Sequence, residues 1–128
     1  MDKTALVERN IEDGRRLLEA LDGADFQVSV ALWLYVVEDE EWRFMVASPL
    51  VDQRGTKESY AFIQGVLARL SPPSGISLKQ VSVVSPKQDL IKLFRVAVRT
   101  GPDISGIRFT GNTINNVFIE DAYIYRVY

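Results

Sequence analysis

Apolar residues alternate across positions 26–37, which is the period of a β-strand. One face of this segment is apolar throughout and comprises Phe26, Val28, Val30, Leu32, Leu34 and Val36. The other face begins polar and becomes aromatic, with Gln27, Ser29, Ala31, Trp33, Tyr35 and Val37. A strand that is apolar on both faces near one end is predicted to be central there, with cover on both sides.

An acidic run interrupts this pattern and consists of Glu38, Asp39, Glu40 and Glu41. Like charges repel one another and do not sit together in a core, so the run predicts a solvated turn. A cation bound to these carboxylates is the alternative, although the spacing matches no calcium loop. The chain returns as a second strand over residues 42–47, and residues 26–51 therefore predict the long β-hairpin around which the rest of the fold is built.

The register of this hairpin stays open. If Val37 faces Trp42, aromatic residues of the two strands meet, whereas if Val36 faces Phe44, aliphatic residues meet. A slip of one residue exchanges one face of a strand for the other. Both faces are apolar here, so the pattern does not choose between the two registers.

A period of 3.6 predicts three helices, the first of which covers residues 3–22. Its apolar stripe comprises Leu6, Val7, Ile11, Leu17, Leu18 and Leu21. Asp2 or Thr4 is expected to cap its start, and Gly23 to stop it. Gly14 falls on the apolar side. Because glycine costs about 1 kcal/mol relative to alanine inside a helix, we expect the helix to approach the sheet closely at Gly14.

A loop is predicted at residues 52–55, and a second helix follows over residues 56–70. Prolines at residues 72–73 then break the chain. A short strand is expected at residues 78–84.

The third helix has the clearest predicted start. Ser85, Pro86 and Gln88 match the N-cap, N1 and N3 positions of a capping box. The helix is predicted to run from this box to about Arg99, where a Gly–Pro pair stops it.

Two strands complete the predicted fold, at residues 107–110 and 117–128. Residues 111–116 separate them as a loop rich in glycine and asparagine, which tolerate positive φ. The predicted order is α-β-β-α-β-α-β-β. Residues 1–128 are therefore expected to form a single α+β domain, with three helices packed on one mixed, largely antiparallel sheet of about five strands.

The composition excludes several kinds of chemistry. The chain has no cysteine, which excludes disulfides and thiol catalysis, and no histidine, which removes the usual general base and the commonest metal ligand. No glycine-rich phosphate loop is present. The sequence thus favours a non-catalytic protein with no cofactor and no metal.

Net charge and hydropathy predict whether the protein associates with nucleic acid or with a membrane. The formal net charge of −2 predicts no bulk attraction to nucleic acid or to an anionic membrane. The N-terminus is polar, and no apolar run reaches the roughly 20 residues that span a bilayer. We expect a full-length, soluble, cytoplasmic protein that engages no membrane.

The aromatic residues of the strands are the first candidate site. They are Trp33, Tyr35, Trp42, Tyr123, Tyr125 and Tyr128. Tyrosine and tryptophan are enriched at the centres of protein interfaces. If three helices leave one sheet face open, these rings form a surface that binds a protein partner or a second copy in a homo-oligomer. Packing in the core is the alternative role for the same rings.

A cationic row is the second candidate, and it suggests a nucleic-acid-binding protein. It comprises Lys92, Arg95 and Arg99, which the predicted third helix places on one side, with Lys87 near the start of that helix. These cations could contact phosphates. A metal-dependent nuclease is a variant of this hypothesis, with Glu41, Glu120 and Asp121 as strand carboxylates. The ordinary alternative is that the row is the solvated side of an amphipathic helix.

Overall fold

A computed structural model describes residues 5–128, and the predicted cap residues Asp2 and Thr4 lie outside that range. The helices of the described chain are α1 (Glu8–Gly23), α2 (Leu50–Arg54), α3 (Thr56–Arg69) and α4 (Asp89–Ala97). The strands are β1 (Val30–Val36), β2 (Glu41–Ala47), β3 (Val81–Val84), β4 (Ile107–Ile114) and β5 (Val117–Val127).

The five strands form one mixed sheet in the order β3-β2-β1-β5-β4. The β2–β3 pair is parallel, and the β1–β2, β1–β5 and β4–β5 pairs are antiparallel. The predicted α+β class and element order are confirmed. The short helix α2 is an addition, because residues 52–54 were expected to be loop; the Ser48 hydroxyl accepts a hydrogen bond from the Leu50 N–H at its start (3.1 Å).

The β1–β2 hairpin adopts a register that neither predicted alternative gives. Tyr35 pairs with Trp42, and Trp33 pairs with Phe44. The connection begins one residue earlier than the acidic run, as a 3-10 turn over Val37–Asp39, and Glu40 closes it at a φ of 52°. This two-residue offset from the first alternative keeps the aromatic residues of both strands on the same face, because side chains alternate with period two.

Strand β1 lies in the middle of the sheet and is covered on both faces, as predicted. An aromatic core fills the face beneath α1 and α3; its largest members include Leu17, Phe26, Trp33, Phe44, Ile63 and Tyr125. An aliphatic core fills the opposite face beneath α4 and includes Val30, Leu32, Met45, Ile91, Phe94 and Ile124. The protein is thus a three-layer α–β–α arrangement around one sheet.

Helix α1 docks directly on the aromatic core at Gly14. A methyl group built on Gly14 would lie 2.9 Å from both Phe44 Cε1 and Trp33 Nε1, and nearer still to the Tyr125 hydroxyl. Such distances are shorter than real carbon contacts, so only glycine fits. The predicted close approach of this helix to the sheet is confirmed.

Two ring donors fasten α1 at this point. The Trp33 Nε1–H donates to the Asn10 carbonyl (3.0 Å), and the Tyr125 hydroxyl donates to the Ile11 carbonyl (2.6 Å). Helix α1 starts at Glu8, later than predicted. Val7 before it is extended and donates its N–H to the Asn10 side chain (3.0 Å).

A β-bulge in the β1–β5 pair supplies a second attachment for α1. The register shifts between Ala31 and Leu32, which leaves Tyr125 outside the regular pairing. Bulges redirect side chains. Tyr125 reaches the middle of α1, and Arg126 next to it donates to both carboxylate oxygens of Asp22 near the end of that helix (2.9 and 2.8 Å).

The predicted capping box at Ser85 is wrong, because its hydroxyl accepts the Lys87 N–H (3.1 Å) in a local turn. Helix α4 begins four residues later, at Asp89. It ends at Ala97, earlier than predicted. Beyond it, Thr100 hydrogen-bonds with Val127 of β5, donating its backbone N–H (2.8 Å) and accepting with its hydroxyl (3.0 Å).

The final hairpin is longer than predicted. Strand β4 continues through Gly111 to Ile114, where a loop was expected, and only Asn115 and Asn116 form the turn, both with positive φ. Strand β3 is shorter than predicted because residues 78–80 form a 3-10 turn before it.

A Gly14→Ala substitution should destabilise the protein by about 1–3 kcal/mol, since the methyl group must displace packed rings. Gly65→Ala on α3 is the matched control: the nearest atom to its methyl group is Arg69 Nη1 at 3.7 Å. This control should gain up to about 1 kcal/mol from helix propensity. Urea unfolding of both variants measures the difference, and equal effects would contradict the close docking of α1.

Alkaline pH should also weaken the attachment of α1. Burial raises the pKa of Tyr125, so the unfolded chain loses this proton at a lower pH than the folded protein. The contribution of the protonated Tyr125 to the free energy of unfolding is intact below about pH 10. Above that pH the free energy of unfolding falls by at most about 1.4 kcal/mol per pH unit. Urea unfolding at about pH 8 and pH 11 tests this. Tyr125→Phe should be less stable at the lower pH but lose less on going to the higher one.

Candidate functional site

Most of the predicted aromatic surface is buried. Trp33, Tyr35, Trp42 and Tyr125 are 1%, 8%, 7% and 1% exposed and belong to the aromatic core. Tyr123 is half-buried against the same core, and Tyr128 stands apart with 63% exposure. The expectation that these rings together face solvent is wrong for four of the six, and core packing accounts for them.

The buried rings pack edge to face, as aromatic pairs prefer. Trp33 contacts Phe44 at a centroid distance of 5.2 Å, and Tyr35 contacts Trp42 at 5.5 Å. Tyr123 and Tyr125 are 5.2 Å apart. Helices α1 and α3 complete this packing from above, so the cluster serves the core rather than a partner.

The carboxylates proposed for a nuclease are not brought together. Asp121 is buried and receives two hydrogen bonds from Arg108, both at 2.7 Å. This carboxylate raises the pKa of Arg108, whose guanidinium also lies 5.8 Å from the Trp42 ring centre. Glu41 accepts a hydrogen bond from Arg43 (3.0 Å) on the same strand. Within residues 5–128, no three acidic side chains cluster in a way that could hold a metal ion.

The cationic row is only partly on one helix. Lys92 is exposed on α4, whereas Lys87 lies in the turn before that helix and Arg99 in the extended segment after it. Arg95 is half-buried and donates to the Tyr128 carbonyl (3.0 Å). The predicted row of three cations on one helix is therefore wrong at Arg99.

A different feature stands out on the α4 side of the sheet, where the two hairpins separate. Pairing between β1 and β5 runs from Val30 and Val127 to Leu34 and Ala122. Beyond that point β1 continues with β2, and β5 continues with β4, toward their own turns. The space between the two hairpins is an open cavity of about 310 Å³.

Apolar side chains line this cavity, which we name the apolar groove. Its floor consists of Leu34, Met45 and Ile119, which are 8%, 7% and 3% exposed. Its rim consists of Val37, Val117 and Phe118, which are 50%, 45% and 57% exposed. The described part of the chain has six large apolar side chains that are exposed, and three of them form this rim. Exposed apolar side chains that lie together are a feature of interaction sites, so the groove is the candidate site of this protein.

Gly111 shapes the groove from a distance. It has a φ of 59°, and it falls between the Thr110–Asp121 and Asn112–Ile119 pairs of the β4–β5 ladder. Strict alternation counted from Ala122, a member of the aliphatic core, would place Ile119 on the opposite face. Ile119 instead joins the aliphatic core, so the hairpin turns toward α4 beyond Gly111.

Sequence reasoning missed the groove for a physical reason. Phe118 and Val117 follow the Asn115–Asn116 turn directly, and Val37 precedes the acidic run. Apolar residues beside polar turns are a usable signal. The signal does not say that the two turns lie on either side of one cavity, because that depends on where β1–β5 pairing stops.

Comparisons with protein-family models, with curated proteins and with solved structures find no match to this chain. Among residues 5–128, no helix combines the length and the apolar character that crossing a membrane requires. The case for function therefore rests on the geometry of the groove.

Removing either partner of the Arg108–Asp121 pair should have unequal effects. Arg108→Ala removes two charge-assisted hydrogen bonds from the buried carboxylate of Asp121, at a cost of about 3 kcal/mol. Asp121→Ala leaves a guanidinium whose side chain is already 45% exposed and can turn to water, at a cost of about 1 kcal/mol. Urea unfolding of the two variants measures this order. The reverse order would contradict a structural role for the Asp121 carboxylate.

Proposed function

We propose that this protein is non-catalytic and works by binding another protein chain, either a partner or a second copy of itself, through the apolar groove. The observation that carries the proposal is the grouping of Val37, Val117 and Phe118 around a recess of about 310 Å³. Burial of such side chains stabilises a complex by about 25 cal/mol for each Å² of apolar surface removed from water.

The shape of the groove supports an interface role. Buried floor residues define the recess, because Leu34 and Met45 both lie within the paired part of the β1–β2 hairpin. The rim side chains belong to two separate hairpins, with Val37 in the turn after β1 and Val117 and Phe118 at the start of β5. A partner that enters between them contacts apolar atoms on both sides and on the floor, which is the arrangement of an anchor in a pocket.

Polar groups at the groove edge can set orientation. Glu38 lines the cavity beside Val37, and Arg43 lines it from β2, where it also donates to the Ser82 hydroxyl (2.6 Å). An apolar centre with a polar edge is typical of protein interfaces. A nucleic-acid partner is less well supported, because phosphate contacts call for cations and the groove lining has Arg43 alone.

Site-specific photo-crosslinking in the native cell tests the proposal. A photoreactive phenylalanine analogue at Phe118 should give a discrete crosslinked protein band. The same analogue at Val96 is the matched control, because Val96 is 67% exposed on α4 but does not line the groove. We expect the crosslinked band from position 118 to be at least about tenfold stronger than the band from position 96, because Phe118 is the anchor at the interface centre.

Two results would count against the groove. One is the absence of any protein band from Phe118, and the other is equal bands from both positions. Either result means that no chain is held between the hairpins.

A further inference from the structure

We infer that the occupant of the apolar groove is the same groove of a second copy, related by a two-fold axis, with Phe118 of each chain in the recess of the other. This inference rests on the proposed function and names its partner. Closed two-fold pairing requires one patch to be complementary to itself. The groove meets that requirement in shape and in polarity.

Shape is the first ground. The patch carries a projecting group and a recess next to each other: Phe118 is 57% exposed, and Leu34 and Ile119 lie at the bottom of a cavity of about 310 Å³. A cavity of that size lies at the lower end of the range for a drug-sized ligand, so a phenyl ring fits inside it. Reciprocal insertion therefore fills both recesses and removes both rings from water.

Polarity is the second ground. One bank of the groove ends in the acidic turn, in which Glu38, Asp39 and Glu40 are exposed acceptors. The other bank ends in the exposed turn of Asn115 and Asn116, whose side-chain NH₂ groups can donate hydrogen bonds. A two-fold axis that runs along the groove places the acidic turn of one copy against the asparagine turn of the other, whereas an axis across the groove would place acidic turn against acidic turn. Acceptors of one chain then face donors of the other on both sides of the axis, and no acidic turn faces the acidic turn of the second chain.

The same axis determines which rim residues meet. It brings Val37 of one chain against Phe118 of the other, because these residues stand on opposite banks. A contact confined to the groove and its two adjoining turns belongs to the weak and concentration-dependent class of interfaces. We expect dimers at about 0.1 mM protein and mainly monomers at a concentration about a hundredfold lower.

Sedimentation velocity of the purified chain across that concentration range is the first test. The expected result is a shift from the 14.5 kDa monomer toward a species of twice that mass. Phe118→Asp and Val37→Lys should each weaken association by about tenfold or more. Val96→Asp is the control and should associate like the unaltered chain, since Val96 lies outside the groove.

A mixing experiment then tests the reciprocal arrangement. An equimolar mixture of the Phe118→Asp and Val37→Lys variants should associate more strongly than either variant alone. In the mixed dimer one contact pairs the introduced aspartate with the introduced lysine, and the other is the original Val37–Phe118 contact. Thermal unfolding by circular dichroism confirms that both variants fold, which is expected because both side chains are half or more exposed.

The possible outcomes separate this inference from the proposed function. A chain that stays monomeric to about 1 mM overturns the two-fold dimer. If Phe118 still crosslinks to a different protein in the cell, the groove binds that protein instead, and only the dimer falls. Dimers that the Val96→Asp variant loses and the Phe118→Asp variant keeps also overturn the inference, because they place the interface elsewhere.

Discussion

The contact between helix α1 and the sheet at Gly14 is the constraint on which the rest of the structure depends. A glycine there allows the Trp33 indole and the Tyr125 hydroxyl to reach main-chain carbonyls of the helix. Without the contact, α1 would stand off from the aromatic core and leave two ring donors unpaired in an apolar setting, which is costly. The β-bulge at Ala31/Leu32 contributes to the same contact, since it directs Tyr125 toward the helix.

That constraint decides which side of the protein is available for binding. The aromatic face lies beneath α1 and α3, which are helices of 16 and 14 residues, and its rings pack in the core. The opposite face has α4, a helix of nine residues. The aliphatic face is therefore open where the β1–β2 and β4–β5 hairpins part. The rings of the aromatic core lie on the closed side of the molecule, and the groove rim of Val37, Val117 and Phe118 lies on the open side.

Local patterns predicted the elements, and long-range geometry decided the site. The strand period around Trp33, the helix periods and the glycine on the face of α1 are all readable within a short window of sequence. Burial of the aromatic face cannot be read from such a window, because it depends on which face of the sheet each helix covers. The groove is also beyond local reading, since it arises where β1 and β5 stop pairing at Leu34 and Ala122 and where Gly111 turns the last hairpin. The Ser85 capping box failed because a local turn used the same hydroxyl.

Native-state hydrogen exchange of the Trp33 indole N–H tests the docking of α1 most directly. This proton is held by the Asn10 carbonyl beneath a helix that only glycine allows to approach. Its exchange should require the same free energy as global unfolding, and added denaturant should lower both equally. Exchange at the rate of an exposed indole, in a protein that remains folded, would show that α1 does not cover the aromatic face. It would also return the rings of that face to the surface as a possible binding site.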